Sequence, residues 1–325
     1  MEKVIIGIDI SKLTLDVFVK KDSKTEHCQI QNNNKAIKKF FKSFYNDKNT
    51  IVAMENTGRY NYELYEVLSN MNILVYVINP LHLKKSMGLL RGKNDRIDSQ
   101  RICLFIEKNY MDLMPWTAKS LDIQKLSLLN SERRHRVKIK TGLLKQMKDL
   151  NFLKNHIDKE SIKLNKQLIL VLNKQIKAIE KKILNLIESN IELKDQYERI
   201  QTVPGVGKIL AAMFIIKTNG FTEIKSARKL ACYSGVVPFE HRSGSSVFYK
   251  PRVSTMADKE LKKILHLAAL SSIRLKNDLA IYFQRKVLEG KNKMLVLNAI
   301  RNKIIHRVYA LIKNKSVYEN NLHLS

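Results

Sequence analysis

Four acidic residues are placed where carboxylate chemistry is plausible: Asp9, Glu55, Asp95 and Asp98. Asp9 sits inside the apolar run Val4-Ile5-Ile6-Gly7-Ile8-Asp9-Ile10. A charge there is costly unless it is paired or binds a metal. The alternative is an edge strand that turns Asp9 to water. Glu55 ends the apolar run Ile51-Val52-Ala53-Met54 and precedes Asn56-Thr57-Gly58. The C-terminal end of a sheet strand suits a site residue, and equally a loop or capping carboxylate. Asp95 and Asp98 are three apart, on one face near a helix start. A cation would relieve their repulsion. The helix dipole, or Arg91, Lys93, Arg96 and Arg101, would also do so. As a set, such oxygen donors can hold two Mg²⁺ ions about 3.5–4 Å apart for in-line phosphodiester displacement.

Elements of the right kind are available to carry them. Residues 4–10 and 13–19 read as strands, and the short Ser11-Lys12 link predicts an antiparallel hairpin. A third strand is expected near Cys28 to Ile30. Helices are expected over Asn34 to Tyr45 and Tyr60 to Asn70, with strands at 51–54 and 73–78. The order predicts an α/β domain with a mixed sheet over residues 1–116. No Gly-x-Gly-x-x-Gly turn follows the first strand, so a dinucleotide fold is excluded.

Residues 117–200 read as long helices, since Pro115 and Pro204 bracket a stretch without proline. Ile162, Ile169, Leu172, Ile176, Ile179, Ile183, Leu186 and Leu193 follow heptad spacing, with Asn165 and Asn190 in register. That pattern predicts a coiled coil, within one chain or between chains. Residues 201–325 open with Val203-Pro204-Gly205-Val206-Gly207-Lys208, a tight turn before a helix whose N–H groups suit a phosphate. Helices are expected at 226–234, 258–275 and 293–313, with a polar stretch between the first two.

The 325 residues carry a formal charge of +29. By segment it is +5 over 1–116, +9 over 117–200 and +15 over 201–325. Such a gradient implies a polyanionic partner, nucleic acid before acidic membrane. No apolar run is long enough for a membrane span. No signal peptide is evident, and the three distant cysteines fit a reducing compartment. A cytoplasmic protein is expected, with no membrane partner.

The motifs resemble those of the DEDD transposases of the insertion-sequence 110 family, related to Piv-type DNA invertases. The similarity runs in order through Gly7-Ile8-Asp9-Ile10-Ser11-Lys12, Glu55-Asn56-Thr57-Gly58-Arg59-Tyr60, Val77-Ile78-Asn79-Pro80 and Lys93-Asn94-Asp95-Arg96-Ile97-Asp98. It continues through Val203-Pro204-Gly205-Val206-Gly207, Tyr233 to Pro238 and Ser243 to Val247. Asn94 replaces the family's Thr, and Thr255-Met256-Ala257-Asp258 replaces its usual Lys-x-Gly-Asn.

The resemblance implies a RuvC-like, RNase H-type domain over 1–116, the helical coiled-coil segment, and a mainly helical C-terminal transposase domain with a helix-hairpin-helix-like turn. It implies a metal-binding tetrad of Asp9, Glu55, Asp95 and Asp98 holding Mg²⁺, with Mn²⁺ as substitute, and Ser243 as nucleophile. It also implies a structured guide RNA, donor and target DNA, assembly into dimers and tetramers, and a bacterial or archaeal, nucleoid-associated protein. Nucleic-acid contacts are assigned to Lys93, Gly205, Gly207, Lys208, Arg242, Lys250, Arg252, Lys262 and Lys263. The competing readings are a junction-resolving nuclease that uses water, and a decayed nucleic-acid-binding protein.

Overall fold

The computed structural model describes residues 3–44, 49–86, 94–117, 121–152, 159–243 and 247–320. The chain divides into two compact units, Met1–Ala118 and Lys119–Ser325. The first is a mixed α/β unit and the second is mostly helical.

In the first unit the order is β1 (Val4–Ile10), β2 (Thr14–Lys21), β3 (Lys24–Gln31), α1 (Asn34–Phe41), β4 (Thr50–Glu55), α2 (Tyr62–Leu68), β5 (Leu74–Ile78), α3 (Pro80–Ser86) and α4 (Asp95–Asn109). Short 3-10 turns follow α1 and precede α2. The sheet order is β3-β2-β1-β4-β5. β2 is antiparallel to β1 and β3, while β4 is parallel to β1 and β5.

Strand periodicity sends alternate residues to opposite faces. Val4, Ile6, Ile8 and Ile10 join Ile37, Phe41, Leu64 and Leu68 under α1 and α2. Ile5 joins Phe18, Ile102, Cys103 and Ile106 under α4. Asp9 has the parity of Ile5, so it belongs to the α4 face. Lys20 Nζ reaches both oxygens of Glu107, at 2.6 and 2.8 Å, and ties α4 to β2.

Gly7 permits this contact. A Cβ on it would stand 2.3 Å from Ser99 O and 2.4 Å from Cys103 N. Both are backbone atoms of α4, which cannot swing aside as a side chain would.

The second unit holds α5 (Leu121–Phe152), α6 (Lys159–Glu188), α7 (Ile191–Gln201), α8 (Lys208–Thr218), α9 (Ala227–Tyr233), β6 (Phe239–Ser243), β7 (Val247–Arg252), α10 (Lys259–Ser272), α11 (Asp278–Leu288) and α12 (Lys293–Asn314). Arg133 meets Glu180 at 2.7 Å and Arg136 meets Gln175 at 3.0 Å. Rising numbers on α5 meet falling numbers on α6, so the two form an antiparallel hairpin within the chain. Leu172, Ile176 and Ile183 of the heptad seam are buried.

The seam is shorter than its spacing suggests. Asn190 leaves it and caps α7, accepting from Leu193 N at 3.1 Å and donating to Asp122 Oδ2 at 2.9 Å. An Asn side chain satisfies an orphan helix N–H better than it fills an apolar seam, so α6 stops at Glu188 and Leu193 belongs to the next helix. Helix α8, buried from Leu210 to Ile216, is the centre of the second core.

Gly7→Ala is expected to cost about 1–3 kcal/mol or more through overpacking against α4. Urea unfolding of the full chain measures this, and wild-type stability would show that α4 does not rest on Gly7.

Candidate active site

Asp9 lies near the end of β1, and Glu55 is the last residue of β4, the parallel neighbour of β1. Asp95 and Asp98 occupy the first turn of α4, where a helix N-terminus favours negative charge. Asn94 caps that turn, its Oδ1 accepting from Ile97 N at 2.8 Å. The Thr-to-Asn departure noted at residue 94 therefore keeps a competent cap.

The four carboxylates share one field. Asp9 is raised from 3.8 to about 6, first by burial, then by repulsion from Asp95, Asp98 and Glu55. Asp98 is partly neutralised by Arg101 at 2.9 Å. The donor set is all oxygen and its repulsion calls for a cation, which suits a hard divalent ion. Among the described residues no group of three His, Cys, Asp or Glu is gathered closely enough to hold a metal ion. The four carboxylates are thus electrostatically coupled through Asp9.

Three supporting features escaped the sequence reading. Asn61 is fully buried and organises the turn after Glu55. Its Nδ2 donates to Glu55 O at 2.9 Å, and its Oδ1 accepts from Thr57 N at 3.0 Å and Thr57 Oγ1 at 2.7 Å. Asp16 stands opposite Asp9 in the β1–β2 register. Its oxygens are held from β3 by His27 and Gln29, each at 3.0 Å. Gly7 is the third, through the close approach of α4. The available signals were an Asn just past Thr57-Gly58, a lone Asp in an apolar strand, and a Gly in a strand interior. Cys103 is pushed up to about 12 by burial and is no nucleophile.

In the second unit Ser243 is the last residue of β6, paired with Val247. The side chains of Arg242, Ser243 and Lys250 lie outside the described part, as does Lys93. The two turn glycines serve different ends. Gly205 has φ +85, and a Cβ there would meet Ala268 O of α10 at 2.3 Å, so it is a packing glycine. Gly207 caps α8 in open space, with Lys208 exposed beside it. A cavity of about 240 Å³ opens between this turn and Ile264, Leu267 and Ala268. Arg252 and Lys263 are exposed and Lys262 is half-buried. At the departure near 255–258, Asp258 caps α10, accepting from Leu261 N at 2.8 Å.

Two family models match this chain. One, of the IS110 DEDD type and described as a transposase, covers residues 6–155; the other, described as "Transposase IS116/IS110/IS902 family", covers 197–284. The chain belongs to the IS110 transposase family. It is 26% identical to the pilin gene-inverting protein of Moraxella bovis, over 99% of this chain and 100% of that one. It is 23% identical to the transposase for insertion sequence element IS1111A of Coxiella burnetii, over 82% of this chain and 79% of that one. Membership in this family of transposases and DNA invertases implies DNA recombination. No helix among the described residues is long and apolar enough to cross a membrane.

The raised pKa of Asp9 has a stability consequence. The folded state holds its proton more tightly than the unfolded state does. Stability contributed by this group is therefore full below pH 3.8 and declines as the pH rises through about 6. Discounted for partial exposure, the metal-free loss is about 1–2 kcal/mol. Asp9→Asn should be more stable than wild type by that amount at neutral pH in EDTA, and equal to it near pH 4. A difference that does not change with pH, measured by urea unfolding, would refute the repulsion at Asp9.

Proposed function

We propose that this IS110-family protein is an RNA-guided DNA transposase or recombinase, with Asp9, Glu55, Asp95 and Asp98 as its metal-binding carboxylates and Ser243 as its nucleophile. The observation that carries this reading is the convergence of three elements on Asp9, whose acidity registers the other three carboxylates. The sheet order β3-β2-β1-β4-β5, antiparallel and then parallel, supports a RuvC-like reading of the first unit. The charge of +29 supports a polyanionic partner. Donor DNA, target DNA and a structured guide RNA fill that role in this proposal, and chains assemble as dimers and tetramers.

Mg²⁺ bound by the tetrad would supply charge stabilisation at the scissile phosphate. β1, β4 and α4 carry the oxygens that would hold the ion. In the second unit the hydroxyl of Ser243 attacks phosphorus. An O–P bond to serine forms, the P–O bond to the leaving sugar oxygen breaks, and that oxygen takes a proton. The phosphoserine ester retains the bond energy, so rejoining needs no nucleotide cofactor. A serine needs a base to lose its proton. His241, two places earlier on β6, is the nearest one in sequence.

Asp9→Asn or Glu55→Gln is expected to lower Mg²⁺-dependent cleavage of element-end DNA about 100-fold or more. Ser243→Ala should abolish the covalent protein–DNA adduct seen on a denaturing gel. Adducts that persist in Ser243→Ala remove the serine assignment. Cleavage without adducts in the wild type would favour the junction-resolving reading.

A further inference from the structure

A buried cation without a counter-ion lies in the second unit. Arg301 of α12 is 6% exposed. Its Nη2 donates to His266 Nδ1 of α10 at 2.7 Å, and its Nη1 reaches Asn298 Oδ1 at 3.4 Å. Its Nε–H is buried with no acceptor. No carboxylate among the described residues pairs with it. Leaving such a charge uncompensated is strongly destabilising.

Further donors stand beside it. A guanidinium cannot accept, so His266 Nδ1 must be the acceptor and the ring proton sits on Nε2. Burial and the nearby guanidinium both lower the pKa of His266, which favours this neutral form. Lys262 stands one turn earlier on α10, its Nζ 3.7 Å from where a Cβ on Gly235 would lie. Asn298 Nδ2 donates to Val236 O at 2.7 Å. The nearby acid on this side, Asp258, is already taken by Lys217 at 2.7 Å and Tyr233 at 3.2 Å. Lys262, His266 and Arg301 therefore stand near the Gly235–Val236 turn, which leads into β6, with donors to offer and, among the described residues, no carboxylate paired with them.

We propose that Lys262, His266 and Arg301 bind one backbone phosphate of DNA at the base of the β6–β7 hairpin. A phosphodiester matches the site because it only accepts and keeps its charge at every working pH. Lys262 and His266, both half-buried, meet the phosphate, and Arg301 supplies charge from beneath. The inference rests on the DNA reading above and adds to it a phosphate site outside the tetrad.

The test is Arg301→Met in the full chain. Replacing an unpaired buried charge by an apolar side chain of similar length should leave the melting temperature of the free protein equal or higher. Affinity for a fluorescein-labelled DNA duplex should fall about tenfold, and the slope of log affinity against log KCl should shrink by about 0.9. Lys262→Gln should shrink the slope in the same way, and it serves if Arg301→Met does not fold. Wild-type affinity and slope in both variants overturn the inference while leaving the DNA reading intact. A lower melting temperature with an unchanged slope also overturns it, making Arg301 a core strut. If inorganic phosphate raises the melting temperature of the wild type alone and the duplex slope is unchanged, the site is for free phosphate and the DNA assignment fails. A wild-type chain that binds no duplex overturns both readings.

Discussion

The first unit depends on pressing α4 against β1 despite the charges this brings together. Asp95 and Asp98 ride on the first turn of α4, and Asp9 waits on β1, so closing the helix onto the sheet concentrates negative charge. The hydrophobic contact decides the contest. Ile102 and Ile106 are fully buried in the same interface, and two such side chains contribute roughly 3–6 kcal/mol. Burial of Asp9 and the repulsion it feels together cost about 1–2 kcal/mol after screening. Gly7 lets the helix come close enough for that balance to hold, and Lys20–Glu107 fixes the far end of α4.

Much of this unit could be read from the residues, because the strands are buried on both faces. Runs such as Val4 to Ile10 and Ile51 to Met54 stand out from flanking polar residues, and their carboxylates stand out from the runs. The supporting residues were silent for a physical reason. Asn61 acts through hydrogen bonds back across its own turn and Asp16 through bonds to the neighbouring strand, and no hydrophobic periodicity reports either. The role of Gly7 appears only once the backbone of α4 is known to lie above it.

The second unit was harder to read where polar side chains end or begin elements. Asn190 fits the heptad register, yet its amide is worth more as a cap, so the long helix breaks there. The β6–β7 hairpin sits in polar sequence between stronger helices. Helix α11 begins at Asn277, whose Oδ1 accepts from both Leu279 N and Ala280 N, a local signal that hydrophobic spacing does not register. The turn at Gly205 and Gly207 was visible as a turn. That its first glycine packs on α10 and only its second stands open follows from the tertiary contact.

The two units carry strain of opposite sign. In the first, a half-buried carboxylate is held among like charges and binds its proton too tightly. In the second, a buried guanidinium lacks a counter-charge, and burial alone lowers its pKa. Asp9 is held on the sheet beside α4, and Arg301 is enclosed between α10 and α12. A cation relieves the first and a phosphate the second, and in the proposed reaction a divalent metal and a DNA backbone supply both. A ligand that binds only the folded state stabilises it by mass action. In that proposal, holding the metal and the DNA backbone would offset the unfavourable burial of charge at both places.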